Sequence, residues 1–242
     1  MLCGTHLLSS QKSFNPDRMD TQYNMSEKLL QLPLFQGLSS SDLSHAMGHT
    51  RLEFIQGREG EALIEENEPC DSLCFLMKGT IHVTTWCDDY SYSVTEELSA
   101  PDILQPESLF GLNQCYSQTF VAATDCHLLK ISKAEVLRLA DHHEIFRTNL
   151  LNILTTQTQR LSRRVWHPYP VRLRDKIVRF VMDRCRKPAG KKIVCIKMQQ
   201  LAVMIGESRL NVSRALHSME QEGLIMMSRG SIEIPAFQKL IY

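Results

Sequence analysis

Two arginines five positions apart, Arg209 and Arg214, carry the side chain best shaped to grip the O6 and N7 edge of a guanine or the oxygens of a phosphate. They lie in the run ESRLNVSRALHSMEQEGL, residues 207–224. At about 100° per residue, Val212, Ala215, Leu216 and Met219 fall on one side of a helix there, and Arg209, Leu210, Ser213, Arg214 and His217 on the other. One side packs and the other reads. Ser208 is placed to cap this helix, and Leu210, an apolar residue on the polar side, suits contact with a thymine methyl group. The chemistry is recognition, with bond-breaking groups missing from the pattern. The nine histidines include no His-x-His pair, and His142 with His143 diverge by about 100° on a helical stretch, so they share a metal poorly. The eight cysteines are dispersed with no CxxC, and Cys70 and Cys74 lack further ligands close by. No nucleophile–base pairing stands out. These residues imply no catalytic set, no metal site and no cofactor.

The elements that must hold Arg209 and Arg214 can be read outward from them. Leu201, Ala202 and Ile205 form one side of a preceding short helix, Gly206 allows the turn, and a small residue at Ala202 lets two helices cross closely, as in a helix-turn-helix. Beyond Gly223, LIMMSRGSIEIP contains two apolar runs around Ser228, Arg229, Gly230 and Ser231, the pattern of a β-hairpin. A hairpin in that place makes a wing, with Arg229 at its tip within reach of a phosphate.

Charge distribution agrees. The formal net charge of the 242 residues is zero, yet from Arg160 onward there are 17 Lys plus Arg against 6 Asp plus Glu, and before it 10 against 21. An acidic front and a basic back suit a sensor joined to a nucleic-acid binder, because only the back must approach phosphates. No stretch is apolar for long enough to span a bilayer, no signal peptide is evident, and dispersed cysteines fit a reducing cytoplasm in which most thiols are buried fillers.

Residues 1–24 are polar, aperiodic and expected to be a mobile extension. Residues 25–140 then read as a sensory β-domain. Helical pieces around LPLFQGL and Ser39–Ser41 lead into short strands LEFI, EALI, SLCFLM, TIHVTTW, YSYSV, TFVAAT and CHLLKI, separated by turn formers such as Lys78 with Gly79. Many short strands at this spacing indicate an antiparallel barrel or sandwich. His82 alternates against Ile81 and Val83 and reads as a solvated strand histidine. Residues 141–167 form a long helix in which Leu150, Leu154, Thr158, Leu161 and Val165 recur every three or four positions, a seam that suits either its own barrel or, preferentially, a twin helix in a homodimer. A twofold partner would set two reading helices about 34 to 36 Å apart, one turn of an approximately palindromic DNA site. Pro168 and Pro170 break the helix at a hinge, and residues 168–242 hold a helix over 172–186, the strand IVCI and the winged helix-turn-helix.

This order of parts resembles the cyclic-AMP receptor protein and fumarate-nitrate regulator (CRP/FNR) family of bacterial transcription factors over about residues 28–236. The pieces that carry the likeness are LPLFQGLSSSDL, SLCFLMKGTIHV and ESRLNVSRALHSMEQEGLI. The resemblance implies an α+β fold: an N-terminal double-stranded β-helix or jelly-roll barrel, a dimerisation helix and a C-terminal winged helix-turn-helix. It implies double-stranded DNA, a second copy of the chain and RNA polymerase as partners, and makes Arg209 and Arg214 the base-reading arginines. Leu210 stands where the best-known members carry a glutamate, so their DNA site does not transfer. The family's cyclic-AMP stretches correspond to Gln105, Pro106, Glu107, Ser108 and to Tyr116, Ser117, Gln118, Thr119. The effector residues would thus be Glu107, Ser108, Tyr116 and Ser117. No Lys or Arg lies between Lys78 and Lys130, so a cyclic phosphate held by the barrel alone would lack a cation, at a cost of several kcal/mol. Another small-molecule effector is therefore expected. Two other classes remain open from the residues alone: a barrel that holds a protein partner, and a cupin-type metal enzyme.

Overall fold

A computed structural model describes residues 28–166 and 168–241. The expected extension at 1–24 lies outside the described residues. A helical turn at 28–31 and a 3-10 turn, Pro33–Phe35, precede helix α1 (Ser40–Gly48), whose first turn is capped by Ser39 accepting from the Asp42 amide at 3.1 Å.

Eight strands follow: β1 (Leu52–Gly57), β2 (Ala62–Ile64), β3 (Ser72–Lys78), β4 (Thr80–Trp86), β5 (Ser93–Ser99), β6 (Asp102–Leu104), β7 (Thr119–Ala122) and β8 (Cys126–Ser132). They pair antiparallel as β1 with β8, β2 with β7, β3 with β6 and β4 with β5, across two sheets ordered β1-β8-β3-β6 and β5-β4-β7-β2. That first-to-last pairing is a jelly roll, as the sequence implied. Alternation explains it: Ile81 and Val83 on β4 and Phe120 and Ala122 on β7 point into one core with Leu73 and Phe75 from β3. The Lys78–Gly79 turn requires its glycine twice over. Gly79 has φ +92°, and a Cβ there would stand 2.6 Å from the carbonyl oxygen of Asp125.

Two expectations change. Strand β5, read from the sequence as ending near Val94, continues through Glu96 to Ser99, and β6 was not anticipated. The helix expected over 172–186 is shorter, Leu173–Met182.

Helix α2 (Lys133–His142) leads to the long α3 (Glu144–Trp166). Phe146 and Leu150 of α3 are buried in the barrel core, and the rings of Phe146 and Phe35 lie 5.6 Å apart. Asn149 ties the same face down by donating to the carbonyls of Leu34 and Gln36 at 3.1 and 2.8 Å. After Pro168–Pro170 the chain runs through α4 (Leu173–Met182), β9 (Lys192–Cys195), α5 (Met198–Met204), α6 (Arg209–Gln221), β10 (Met226–Ser228), β11 (Ser231–Ile234) and the short α7 (Gln238–Ile241). The hinge is bridged: Arg164 on α3 donates to the carbonyls of Asp183 and Cys185, and Arg179 on α4 returns a bond to the Arg164 carbonyl at 2.7 Å.

The winged region is not a separate sheet. Strand β9 pairs with β5 in the register Ser93–Cys195, Val94–Val194, Thr95–Ile193 and Glu96–Lys192, so one seven-stranded sheet, β10-β11-β9-β5-β4-β7-β2, runs from wing to barrel. Along one face of β5, Leu98 enters the barrel core, Val94 enters the core of the winged region, and Glu96 sits between them.

Phe35 contacts both Phe75 and Phe146 and so joins α3 to the barrel. Phe35→Ala is expected to cost about 3–5 kcal/mol, read as a lowered midpoint in urea unfolding with little change in slope.

Candidate nucleic-acid interface and sensory cleft

The reading helix is built as its sequence requires. Leu201, Ala202 and Ile205 of the first helix and its end pack under Val212, Leu216 and Met219 of α6, all of them buried. Gly206 turns the chain at φ +67°, and nothing lies within 4 Å of a built Cβ, so it is the backbone conformation and not space that calls for glycine. The Ser208 hydroxyl accepts from the Asn211 amide at 3.1 Å, the N-cap expected. With the packing side spoken for, Ser208, Arg209, Leu210, Arg214 and His217 are exposed and Ser213 is half-buried beside them. Leu210 leaves 59% of its surface in water, beside Arg209 and Arg214. Arg229 is exposed at the tip of the β10–β11 hairpin, followed by Gly230 at φ +78°.

The carboxylates of this region are engaged by other groups, and Glu220 alone of the three meets that face, its Oε2 lying 3.5 Å from His217 Nδ1. Glu207 pairs with Lys176 of α4 at 2.6 Å, and that lysine's hydrogen bond holds the carboxyl below its usual range. Glu222 pairs with Arg174 at 2.7 Å, and Glu220 accepts from the Met227 amide at 2.8 Å. Among the described residues, Arg209, Arg214 and Arg229 make no ion pair.

The junction with the barrel contains a buried pair. Lys192 Nζ lies 2.7 Å from Glu96 Oε2, with side chains only 1% and 7% exposed. The other Glu96 oxygen accepts from the Arg186 amide at 2.7 Å. Arg184 adds a bond to the Tyr92 hydroxyl at 2.8 Å and stacks on Phe180, 3.9 Å from the ring centre. At the rim, Lys187 pairs with Asp102.

Between the barrel, α3 and the 183–187 segment lies a cleft of about 990 Å³. Of the four expected effector residues, Glu107 lines it. Ser108 is buried behind it, Ser117 is held by the Gln105 side chain at 2.7 and 3.1 Å, and Tyr116 faces away, its hydroxyl donating to the Ser72 carbonyl. Gln118, from the stretch that the resemblance pointed to, and Phe110 do line it. As expected, the barrel supplies no cation. Arg184, Arg186 and Lys187 from the winged region and Arg160 and Arg164 from α3 supply it instead, which sequence order could not reveal.

The expected dimer seam is partly corrected. Leu150 is buried in its own barrel and cannot face a partner, and Leu154 packs half-buried against that same core. Thr158 is exposed, its hydroxyl bonded back to the Leu154 carbonyl, and Leu161 is 59% exposed; the Val165 side chain lies outside the described residues. Leu151, which the sequence reading passed over, is 56% exposed one position along.

No group of three or more potential metal ligands occurs among the described residues, and His82 is half-buried on β4. Cys70, Cys74, Cys126 and Cys185 are buried, and burial pushes the Cys74 and Cys185 thiols up to about 12. Cys195 is exposed and Cys87 and Cys115 half-buried, so burial does not extend to every thiol. No described helix is long and apolar enough to cross a membrane.

Residues 55–143 match the cyclic nucleotide-binding domain, and residues 175–241 match the Crp-like helix-turn-helix domain. The chain is 24% identical over 172 residues to the cAMP-activated global transcriptional regulator Vfr of Pseudomonas aeruginosa, covering 67% of this chain and 80% of that protein. It is 21% identical over 207 residues to the cyclic AMP receptor protein of Thermus thermophilus, covering 84% and 92%. The solved sensor domain of the transcriptional regulator DNR from Pseudomonas aeruginosa superposes with a TM-score of 0.50 at 17% identity, covering 64% of this chain and all of that one, a likeness of fold.

Lys192→Met is expected to cost about 3–5 kcal/mol in urea unfolding, because it strands the Glu96 carboxylate in a dry junction. Lys187→Met, at the solvated rim, should cost no more than about 1 kcal/mol. Equal effects would show that the junction is open to water.

Proposed function

Because the chain belongs to the CRP/FNR family of transcription regulators, we propose that it binds DNA as a homodimer, reading base edges with Arg209 and Arg214 and taking its signal in the cleft between barrel and long helix. The observation that carries this is the composition of one exposed face. Two arginines and a water-exposed leucine stand on α6 with a third arginine on the wing, while Glu207 and Glu222 are engaged by Lys176 and Arg174. Arginine to guanine and leucine to thymine methyl are the contacts this face can make, with Ser208, Ser213, His217 and Arg229 placed for phosphates or neighbouring bases.

The dimer runs along α3 on a seam of Leu151, Leu154, Thr158 and Leu161, spaced by three and four residues, in which Leu151 takes the place of the buried Leu150 and the other three are those read in the sequence. Leu150 holds the helix to its own barrel while Leu151 faces the twin. A change in the barrel then reaches the reading helices through how the paired α3 helices lie and through the sheet that joins β5 to β9. A partner-holding barrel without DNA binding accounts for neither the exposed leucine nor the arginine face.

Arg209→Ala combined with Arg214→Ala should weaken binding to the protein's own upstream DNA by about 100-fold in fluorescence anisotropy, without altering the melting temperature. Undiminished affinity would place the reading face elsewhere. Leu151→Glu with Leu161→Glu should convert the dimer to monomer in sedimentation velocity, since like charges and lost apolar area would meet on the seam.

A further inference from the structure

Of the nine histidines, only His217 belongs to residues 168–242, and it stands exposed on α6 with Arg209 and Arg214. One acid meets its ring. Glu220 Oε2 lies 3.5 Å from His217 Nδ1, three residues along the same helix. That acid is not free to swing aside, because its other oxygen, Oε1, accepts from the Met227 amide of β10 at 2.8 Å. A carboxylate fastened to the wing by one oxygen thus presents the second to a histidine of the reading helix.

The other charged groups near α6 have their own places. Helix α5 and strand β10, which pack against it, carry no charged residue. On α4, Arg174 and Lys176 are bound by Glu222 and Glu207, Arg179 is bound by Asp183, and Asp175 is exposed. Arg214 precedes His217 by three residues on α6, and Arg229 stands at the wing tip.

The pairing with Glu220 decides where a neutral ring carries its hydrogen. An ionised carboxylate can only accept, so the imidazole facing it holds its hydrogen on Nδ1 and turns a lone pair outward at Nε2. A phosphate oxygen repels that lone pair. The imidazolium has hydrogens on both nitrogens, so it keeps Glu220 on one side and offers a charged donor on the other. Histidine side chains ordinarily exchange these two forms between about pH 5 and 8.

We propose that DNA binding takes up a proton from solvent at His217, with Glu220 as the positioning residue that makes the contact conditional. The imidazolium donates from Nε2 to a DNA phosphate, and the neutral ring meets the same phosphate with a lone pair. This rests on α6 being the helix that faces DNA, and it adds regulation by pH to that face.

The test uses the full-length protein and its own upstream DNA in fluorescence anisotropy at constant salt. Binding should be about tenfold weaker at about pH 8 than at about pH 6, since a dimer carries two such histidines. His217→Gln should bind almost equally at both. Glu220→Gln is the sharper variant. Its amide oxygen keeps the Met227 bond, which leaves its NH2 group facing Nδ1. The neutral ring then accepts at Nδ1 and carries its hydrogen on Nε2, a donor to phosphate in either charge state. Its affinity at about pH 8 should come within about threefold of that at about pH 6. Without DNA, nitrogen-15 spectra of the histidine rings at about pH 8 should show His217 with its hydrogen on Nδ1 in the parent and on Nε2 in Glu220→Gln, a change that a merely structural role would not produce. Equal binding by the parent at both pH values, a pH dependence that survives His217→Gln, or one tautomer in both proteins overturns the proposal. A parent that binds but is indifferent to pH removes only the role of His217. A parent that binds at neither pH removes the reading of α6 and this proposal with it.

Discussion

The antiparallel pairing of β5 with β9, closed by the Lys192–Glu96 bond, is the constraint from which the rest of the arrangement follows. Backbone ladders fix distance and direction between strands, so a winged region whose first strand continues the barrel's sheet has its reading helix aimed by the barrel. Loops alone would leave it free. A buried ion pair is a poor way to add stability, since desolvating both partners offsets much of their attraction. It is a good way to specify register, because a slip of β9 by one residue would put Lys192 on the opposite face and leave Glu96 alone in a dry place.

The same junction explains how two cores become one mechanical unit. Val94 and Leu98 sit on one face of a single strand and enter different cores. Arg164 and Arg179 brace the hinge from the other side, joining the end of α3 to α4. A signal that shifts α3 against the barrel therefore acts on a part already connected to the reading head at two places. The cleft lies between those two connections, bordered by Arg164, Arg186 and Lys187.

Much of this was legible in the sequence where the signal is local. Strand alternation, the Lys78–Gly79 turn, the Ser208 cap and the small Ala202 depend on residues a few positions apart, and the helix-turn-helix and the barrel strands other than β5 and β6 came out where they were read. What was missed depends on residues far apart. Glu96 and Glu97 look like the solvated end of a hairpin until Lys192 arrives 96 positions later to bury one of them. Strand β6 has three residues, too few for a period to show. Leu150 was assigned to the seam for a different reason: a spacing of three and four says that one side of a helix is apolar, and both a barrel and a twin helix satisfy it. The missing cation was reasoned from the barrel alone, whereas the cleft draws its charge from 183–187 and from α3.

Native-state hydrogen exchange at the β5–β9 ladder, in protein free of DNA, tests most directly whether barrel and reading head form one sheet. The amides of Val94 and Val194 should exchange as slowly as those of Ile81 and Val83 in the barrel core, and their protection should fall in Lys192→Met. Exchange at the rate of an open loop, with the barrel amides still protected, would mean that the winged region hangs free and that the barrel does not aim it.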